Sequence, residues 1–192
     1  MKRSLRTVEG RVEAVRGEGE LVLNEGHFGR VVLEGMLRAK VGLDIMTADF
    51  KAMLVPVEGR RRAPSIVELL RGLAEEGVEI RLLHAGTPSS AALVELKREL
   101  PRGLVIRRCS RLHAKAVIVD CSRMYLGSAN LTGAGLGAKG EGKRNFEMGI
   151  WTTSAGLIDG VLEQFNVLWE GRRCEGCKRK EVCPVPLEEP EL

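Results

Sequence analysis

The sequence has no long apolar segment and few aromatic residues. No apolar run approaches the ~18 residues that a membrane-spanning helix requires. Four Phe, two Trp and one Tyr leave little material for an aromatic edge at a membrane surface. Residues 1–15 are basic but carry no apolar core, so they do not resemble a signal peptide. We therefore expect a cytoplasmic protein that does not associate stably with membranes.

The charged residues are unevenly distributed, although the net charge is only +4. Basic residues cluster at 60–62, 102–111 and 139–144. Any one cluster is typical of a solvated surface, but three of them favour a partner with a phosphate backbone. The candidate substrate-binding residues are Arg60, Arg61, Arg111 and Lys143.

Helix and strand patterns alternate along the chain, which is long enough for one domain with a hydrophobic core. The predicted strands are a short edge strand within 12–23, then 41–46, 78–83, 104–107, 112–119, 124–128 and 146–152. The predicted helices are 27–40, a helix that Ser65 caps and that ends near Gly77, 90–100 and 154–169. This order predicts an α/β domain over residues 1–170, with a mixed β-sheet flanked by helices on both faces. Residues 171–192 form a separate Cys-rich tail.

The most specific pattern begins with His113 and Lys115 and ends at Asn130. Residues two apart in a strand share a face, so His113 and Lys115 are expected to point the same way. A hairpin centred between Cys121 and Ser122 would place Lys115 opposite Ser128 and His113 opposite Asn130. Four polar groups would then meet at one end of the hairpin.

Asp120 belongs to the same pattern but falls at the other end of that hairpin. At ~3.3 Å per residue it would lie roughly 20 Å from His113. We therefore expect Asp120 to be a turn and anchoring residue and to take no part in catalysis.

The full run, His-x-Lys-x4-Asp-x6-Gly-Ser-x-Asn, resembles the signature of the phospholipase D superfamily. Asn145, Phe146 and Glu147 resemble the downstream Asn-x-Glu element of that family. The resemblance implies an α-β-α sandwich and a metal-independent, two-step attack on a phosphodiester. It casts Asp120 and Gly127 as structural residues of the motif.

The resemblance also implies a role for each reactive side chain. His113 would be the nucleophile that forms a phosphohistidine. Lys115 and Asn130 would hold the non-bridging phosphate oxygens, with Ser128 assisting. Glu147 would bond the far ring nitrogen of His113 and stabilise the cation that forms there.

The chain carries one copy of this motif. Of its three histidines, His27 and His84 lack a following Lys at the right spacing, and His84 is expected to be a satisfied or surface histidine. Enzymes of the family need two such histidines, one that attacks and one that protonates the leaving oxygen. The sequence is similar to short, single-motif endonucleases of the family, which implies a homodimer whose twofold axis passes beside the site.

The tail contains Cys174, Cys177 and Cys183 in a C-x2-C-x5-C arrangement. In a cytoplasmic protein this pattern indicates a metal site before a disulfide, with free or paired thiols as the alternative. Zinc and a 4Fe–4S cluster both take four ligands in most cases, and the arrangement resembles the cluster ligands of some DNA-repair glycosylases and nucleases. Either Cys109 or Cys121 could be the fourth ligand. We expect Cys109, because helix 154–169 returns the chain to the active-site end.

Three functions remain open on the sequence alone. The basic clusters favour a homodimeric endonuclease that hydrolyses DNA or RNA. A phospholipid phosphodiesterase or transphosphatidylase would use the same chemistry. A non-catalytic nucleic-acid-binding module is disfavoured by the intact His113, Lys115 and Asn130.

Overall fold

A single mixed sheet organises the protein. The computed structural model describes residues 19–57, 59, 61–96, 100–179 and 183. Its strands are β1 (Gly19–Leu23), β2 (Gly42–Thr47), β3 (Glu79–His84), β4 (Leu104–Arg108), β5 (Ala116–Val119), β6 (Arg123–Gly127) and β7 (Met148–Thr152). The seven strands lie in the order β1-β7-β6-β5-β2-β3-β4. β2, β3 and β4 run parallel, and the other neighbouring pairs are antiparallel.

Helices cover both faces of the sheet, as the sequence predicted. The α-helices are α1 (Ile66–Glu75), α2 (Ser90–Leu96) and α3 (Ala155–Trp169). α1 and α2 pack on the face of Val117 and Val119, whereas α3 covers the face of Ala116 and Ile118. Ser65 caps α1 through its hydroxyl, which accepts the Glu68 N–H at 3.0 Å. In the described part of the chain, no helix has the length and apolar character needed to cross a membrane.

The prediction of one continuous helix over 27–40 is wrong, because the segment forms two short helices of other types. The structure has a π-helix over Phe28–Leu33 and a 3₁₀ helix over Met36–Arg38. Gly35 separates them because the Trp151 ring packs directly against its backbone. A Cβ at Gly35 would lie 2.6 Å from that ring and 2.4 Å from the Val31 carbonyl oxygen. The short edge strand predicted within 12–23 is found as β1 at one edge of the sheet, and residues 12–18 lie outside the described residues.

The hairpin that carries the motif is shorter than predicted, and its register is shifted by one residue. Val119 pairs with Arg123, and the Gly127 N–H donates to the Lys115 carbonyl at 3.2 Å. Lys115 therefore lies opposite Gly127 and not Ser128, and the predicted pairing of His113 with Asn130 is wrong as well. The reason is the turn, where Asp120 and Cys121 both have positive φ (52° and 50°). His113 precedes β5, which begins only at Ala116.

Candidate active site

His113 and Lys115 stand together where the chain enters β5. The His113 side chain is exposed, and the Lys115 Nζ lies 3.4 Å from each of its two ring nitrogens. These distances are long for hydrogen bonds, so the ammonium is a neighbouring cation without a fixed bond to either nitrogen. The imidazole is thus accessible and has a positive charge at its side.

Glu147 and Ser128 form the second part of the site. The Ser128 hydroxyl donates to one carboxylate oxygen of Glu147, and Asn145 Nδ2 donates to the other at 3.0 Å. The Met148 N–H donates to Ser128 Oγ at 3.1 Å. Both Glu147 oxygens are therefore used within the chain, and the expected bond from Glu147 to His113 is not formed among the described residues. Glu147 is buried, so these two donors are needed to satisfy it.

Asn130 is oriented by the end of β2. Its Oδ1 accepts backbone N–H groups of Ala48 at 3.1 Å and Asp49 at 3.0 Å. Two N–H donors require an oxygen at that position, which fixes the orientation of the amide. Its Nδ2 has no partner in the described part of the chain. Asn130 therefore presents two N–H donors away from the scaffold.

A buried tyrosine lies beneath the motif, and neither it nor its histidine partner was singled out by the sequence pattern. Tyr125 Oη accepts the Ala129 N–H at 3.1 Å and lies 2.9 Å from His27 Nε2. A Cβ on Gly127 would lie 2.3 Å from the same hydroxyl oxygen. The motif glycine is thus required because the tyrosine passes directly beside it. The signals available were a sole tyrosine and a histidine set between glycines.

The Tyr125 hydroxyl is held in its neutral form. Burial raises the pKa of Tyr125 to about 12, and the nearby Glu147 carboxylate acts in the same direction. His27 Nδ1 lies 2.8 Å from the Asn24 carbonyl oxygen, so this nitrogen carries the proton and donates. His27 Nε2 is therefore the acceptor of the Tyr125 O–H.

Asp120 lies where the sequence placed it, in the turn at the far end of the hairpin. Its carboxylate accepts backbone N–H groups of Val41 at 2.8 Å, Lys40 at 3.0 Å and Gly42 at 3.1 Å. Partial burial opposes its ionisation, but these donors and Arg123 outweigh burial and lower the pKa of Asp120. Asp120 therefore joins the turn to the start of β2, and its lack of a catalytic role stays a prediction.

The predicted substrate-binding residues do not all meet at the site. Arg111 lines a cleft of about 650 Å³ together with His113, Arg108 and Arg173. Lys143 and Arg61 are exposed elsewhere on the surface and do not line this cleft. Arg60 lies outside the described residues. The Arg107 guanidinium donates to the Trp169 carbonyl at 2.7 Å and stacks on its ring, so it serves the fold.

Four cysteines line the same cleft as His113. They are Cys109, Cys174, Cys177 and Cys183, and all are free thiols. In the described ranges, no three Cys, His, Asp or Glu side chains form a group that could hold a metal ion as it stands. Hydrogen bonds from the Arg179 N–H and from Arg111 lower the pKa of the Cys177 thiol. Cys121 is exposed in the turn beside Asp120, at the other end of the hairpin.

His84 was expected to be either hydrogen-bonded or at the surface. It is buried, and only one of its two ring nitrogens has a hydrogen-bond partner among the described residues. Its Nδ1 lies 2.7 Å from the Gly86 carbonyl oxygen, which accepts from it. Its Nε2 has no hydrogen-bond partner among the described residues. Burial lowers the pKa of His84, and the nearby Arg108 acts in the same direction. His84 is fully buried at the end of β3 and does not line the cleft of His113, so it is not placed to act on a substrate there.

Comparison with known proteins identifies the family. Residues 33–169 match the family model described as "Cardiolipin synthase, PLD-like domain". The chain therefore belongs to the phospholipase D-like family. No curated protein matches the sequence.

Solved structures share the fold at low sequence identity. Nuc from Salmonella typhimurium, a phospholipase D family member, is 21% identical with a TM-score of 0.59, over 79% of this chain and 93% of its own. NucT from Helicobacter pylori is 14% identical with a TM-score of 0.60, over 80% of this chain and 96% of its own. TrmBL2, an archaeal chromatin protein, is 15% identical with a TM-score of 0.51, over 83% of this chain and 55% of its own. These similarities confirm the predicted sandwich.

Proposed function

We propose that the protein is a homodimeric phosphodiesterase that hydrolyses nucleic acid through a phosphohistidine at His113. The observation that carries this proposal is the exposed His113 imidazole with the Lys115 ammonium 3.4 Å away, in a chain of the phospholipase D-like family. The proposed chemistry uses side chains only. The lone pair of a neutral imidazole nitrogen makes it a nucleophile that needs no metal.

The first step forms a phosphorus–nitrogen bond. A His113 ring nitrogen attacks the phosphorus, and the bond to the leaving oxygen breaks. A second histidine, His113 of the other copy, donates its proton to that oxygen. Lys115 Nζ and Asn130 Nδ2 stabilise the negative charge on the non-bridging oxygens, because both are hydrogen-bond donors and the first carries a positive charge.

The second step releases the product. The second histidine, now neutral, takes a proton from water, and the resulting hydroxide attacks phosphorus. The phosphorus–nitrogen bond breaks and returns both histidines to their starting protonation states. Glu147 is a positioning residue in this scheme, because its carboxylate is already held by Ser128 and Asn145.

In this proposal the second histidine comes from another copy, because this sequence holds one His-x-Lys motif. An apolar surface beside the motif supports this dimer. Met148 and Ile150 on β7 are exposed and pair across the sheet with Leu23 and Leu21 on the edge strand β1. Exposed Leu126 pairs with Ile150 from the other side. Contiguous apolar surface of this kind is typical of an interface.

The substrate class follows from the charge of the cleft. Arg108, Arg111 and Arg173 line it together with His113, which suits a polyanion. TrmBL2, which shares the fold, is described as a DNA-binding protein. The exposed apolar surface near Ser128 and the description of the matching family model as "Cardiolipin synthase, PLD-like domain" favour a phospholipid instead. The two substrates are therefore compared directly.

The test uses purified protein with labelled DNA, labelled RNA and phospholipid vesicles, each in the presence of EDTA. We expect nucleic acid to be cleaved and His113→Ala to reduce the rate by at least ~10³-fold. His113 is exposed, so its removal should leave the thermal unfolding temperature unchanged. Full cleavage by His113→Ala would defeat the catalytic proposal. Cleavage of vesicles alone would move the substrate to the lipid class.

A further inference from the structure

Cysteines that are far apart in the sequence line one cleft. Cys109 follows β4, whereas Cys174, Cys177 and Cys183 follow α3. All four line one cleft, together with Arg111 and His113. The remaining cysteine, Cys121, lies in the hairpin turn, at the end of the hairpin opposite to His113. The cleft thus contains thiols from two separate segments.

Residues 171–179, directly after α3, have no apolar side chains with which to pack. Residues 171–179 are Gly, Arg, Lys and Glu apart from the two cysteines. Polar contacts join the chain after α3 to the end of β4 and the loop that follows it. Arg179 Nη1 donates to the Ser110 carbonyl at 2.8 Å, and Cys183 Sγ lies 3.6 Å from the Arg108 carbonyl oxygen. Exposed polar contacts contribute little free energy in water. A segment without a core usually needs a cross-link or a metal to hold it in place.

The backbone around Cys174 and Cys177 already forms a tight turn. The Cys177 N–H donates to the Cys174 carbonyl at 3.2 Å. Gly176, between them, has a φ of 66°, a conformation that a residue with a side chain rarely adopts. The turn keeps the two cysteines close, as the C-x2-C spacing of a metal site requires.

We propose that Cys109, Cys174, Cys177 and Cys183 bind one thiolate-ligated metal centre that fastens the segment after α3 to the wall of the active-site cleft. Four thiols suit a tetrahedral zinc ion or an iron–sulfur cluster. Binding releases the thiol protons to solvent and leaves four thiolates on the metal. The thiols line the cleft without converging, so ligation draws the turn at 174–177 and Cys183 towards Cys109.

The centre would act on the site through a short connection. Cys109 precedes His113 by three intervening residues, and its N–H donates to the His84 carbonyl at 2.8 Å. Ligation of Cys109 would therefore restrict the motion of the loop that precedes β5 and carries His113. The cleft wall that carries Arg111 and Arg173 becomes rigid at the same time. The centre has a structural role and takes no part in the bond-making steps.

The experiment measures metal in the full-length protein, purified without oxygen and without a metal-binding affinity tag. Elemental analysis and the visible absorption spectrum distinguish zinc from iron and sulfide. We expect about one zinc per chain, or about four irons with broad visible absorption. Either result supports the proposal. Wild-type protein without bound metal, or with disulfides joining these cysteines, would overturn it.

Single substitutions test the ligand set against a matched control. Cys109→Ser, Cys174→Ser, Cys177→Ser and Cys183→Ser should each lose most of the bound metal. Cys121→Ser makes the same chemical change outside the cleft and should retain it. Retention of full metal by Cys109→Ser, or an equal loss in Cys121→Ser, would refute the proposal. Trypsin gives a second readout, since the segment after α3 is rich in Arg and Lys and should be cut faster once the metal is lost.

The inference does not depend on the proposed function. His113→Ala should keep its metal while it loses cleavage, and Cys109→Ser should lose metal whether or not nucleic acid is the substrate. The two proposals can therefore fail separately.

Discussion

His27 Nε2 lies 2.9 Å from the Tyr125 hydroxyl oxygen in the interior of the protein. The tyrosine donates to this nitrogen, and its oxygen accepts the Ala129 N–H, between Ser128 and Asn130 of the motif. His27 belongs to the segment after β1, and Asn24 in that segment accepts the Glu147 N–H through its side chain at 3.1 Å. One hydroxyl therefore joins the segment after β1 to the loop that carries the candidate catalytic residues.

Removing that hydroxyl should weaken both the fold and the site. Tyr125→Phe leaves the His27 Nε2 and the Ala129 N–H buried without this partner, which costs about 1–3 kcal/mol. We expect lower stability in denaturant titrations, and a lower kcat with little change in KM, because the loop that carries Ser128 and Asn130 loses its support. Unchanged stability and kcat would show that the network is dispensable.

The pH dependence of stability should report on the same group. Tyrosine has a pKa near ~10 in an unfolded chain, and burial raises the folded value to about 12. The folded state favours the neutral tyrosine. Its contribution to the free energy of unfolding is therefore complete below pH ~10 and is lost as the pH rises towards 12. The loss is about 2–3 kcal/mol.

The measurement is simple because the sequence contains one tyrosine. Its ionisation is followed by near-ultraviolet absorbance, and denaturant titrations are compared between wild type and Tyr125→Phe across this range. The stability of wild type should fall more steeply with pH than that of the variant. A tyrosine midpoint at its unfolded value in the native protein would contradict the expected burial effect.

Substitution of Gly127 should show how closely the tyrosine approaches the motif. Gly127→Ala places a Cβ about 2.3 Å from the Tyr125 hydroxyl oxygen, so we expect a destabilisation of about 1–3 kcal/mol. Gly72→Ala is the matched control, because Gly72 lies within α1 and a Cβ there meets nothing within 4 Å. That change should stabilise the protein by about 0.5–1 kcal/mol. Equal effects of the two changes would argue against a steric role for Gly127.

Mixed dimers should reveal whether two copies share a site. When equal amounts of wild type and His113→Ala are unfolded and refolded together, half of the dimers are mixed and hold one motif histidine. If both histidines are needed, activity per wild-type chain falls to about half. Activity that is unchanged by mixing would show that each copy acts alone. Analytical ultracentrifugation provides the matching measure of assembly.

The salt dependence of binding should separate cleft arginines from other surface arginines. Arg111→Gln removes a cation beside His113, so the slope of log Kd against log salt should fall by about one. Arg172→Gln is the control, since Arg172 is exposed, pairs with Glu170 and does not line the cleft. It should leave the slope near the wild-type value. A larger effect of Arg172→Gln would place the nucleic acid elsewhere.

Local patterns predicted most of the strands, and long-range packing explains where they failed. The helix predicted over 27–40 is interrupted because Trp151 packs on Gly35, and a contact of this kind leaves no local signal in the sequence. The hairpin register was shifted because Asp120 and Cys121 adopt a left-handed turn without a glycine. The sequence Asp-Cys-Ser contains no glycine that would mark a left-handed turn, so the local sequence did not indicate which residues of the two strands pair.

The sequence predicted the positions of some residues of the candidate site but not the hydrogen bonds that hold them. The positions of Asp120 at the far end of the hairpin and of Cys109 beside the tail cysteines both follow from strand and helix lengths. The link between His27 and Tyr125 could not be predicted, because 98 residues separate them. The partners of Glu147 were also missed, since Ser128 and Asn145 compete with His113 for the same carboxylate.

The amide of Asn130 has a direction that the backbone imposes. The N–H groups of Ala48 and Asp49 hold its oxygen, and an aspartate would satisfy both of them equally well. An Asn130→Asp substitution would therefore leave these backbone contacts intact, yet it would replace the N–H donors of the amide by a second negative oxygen. The exchange of one side-chain group would turn an anion-binding residue into an anion-repelling one in a chain that otherwise keeps its fold.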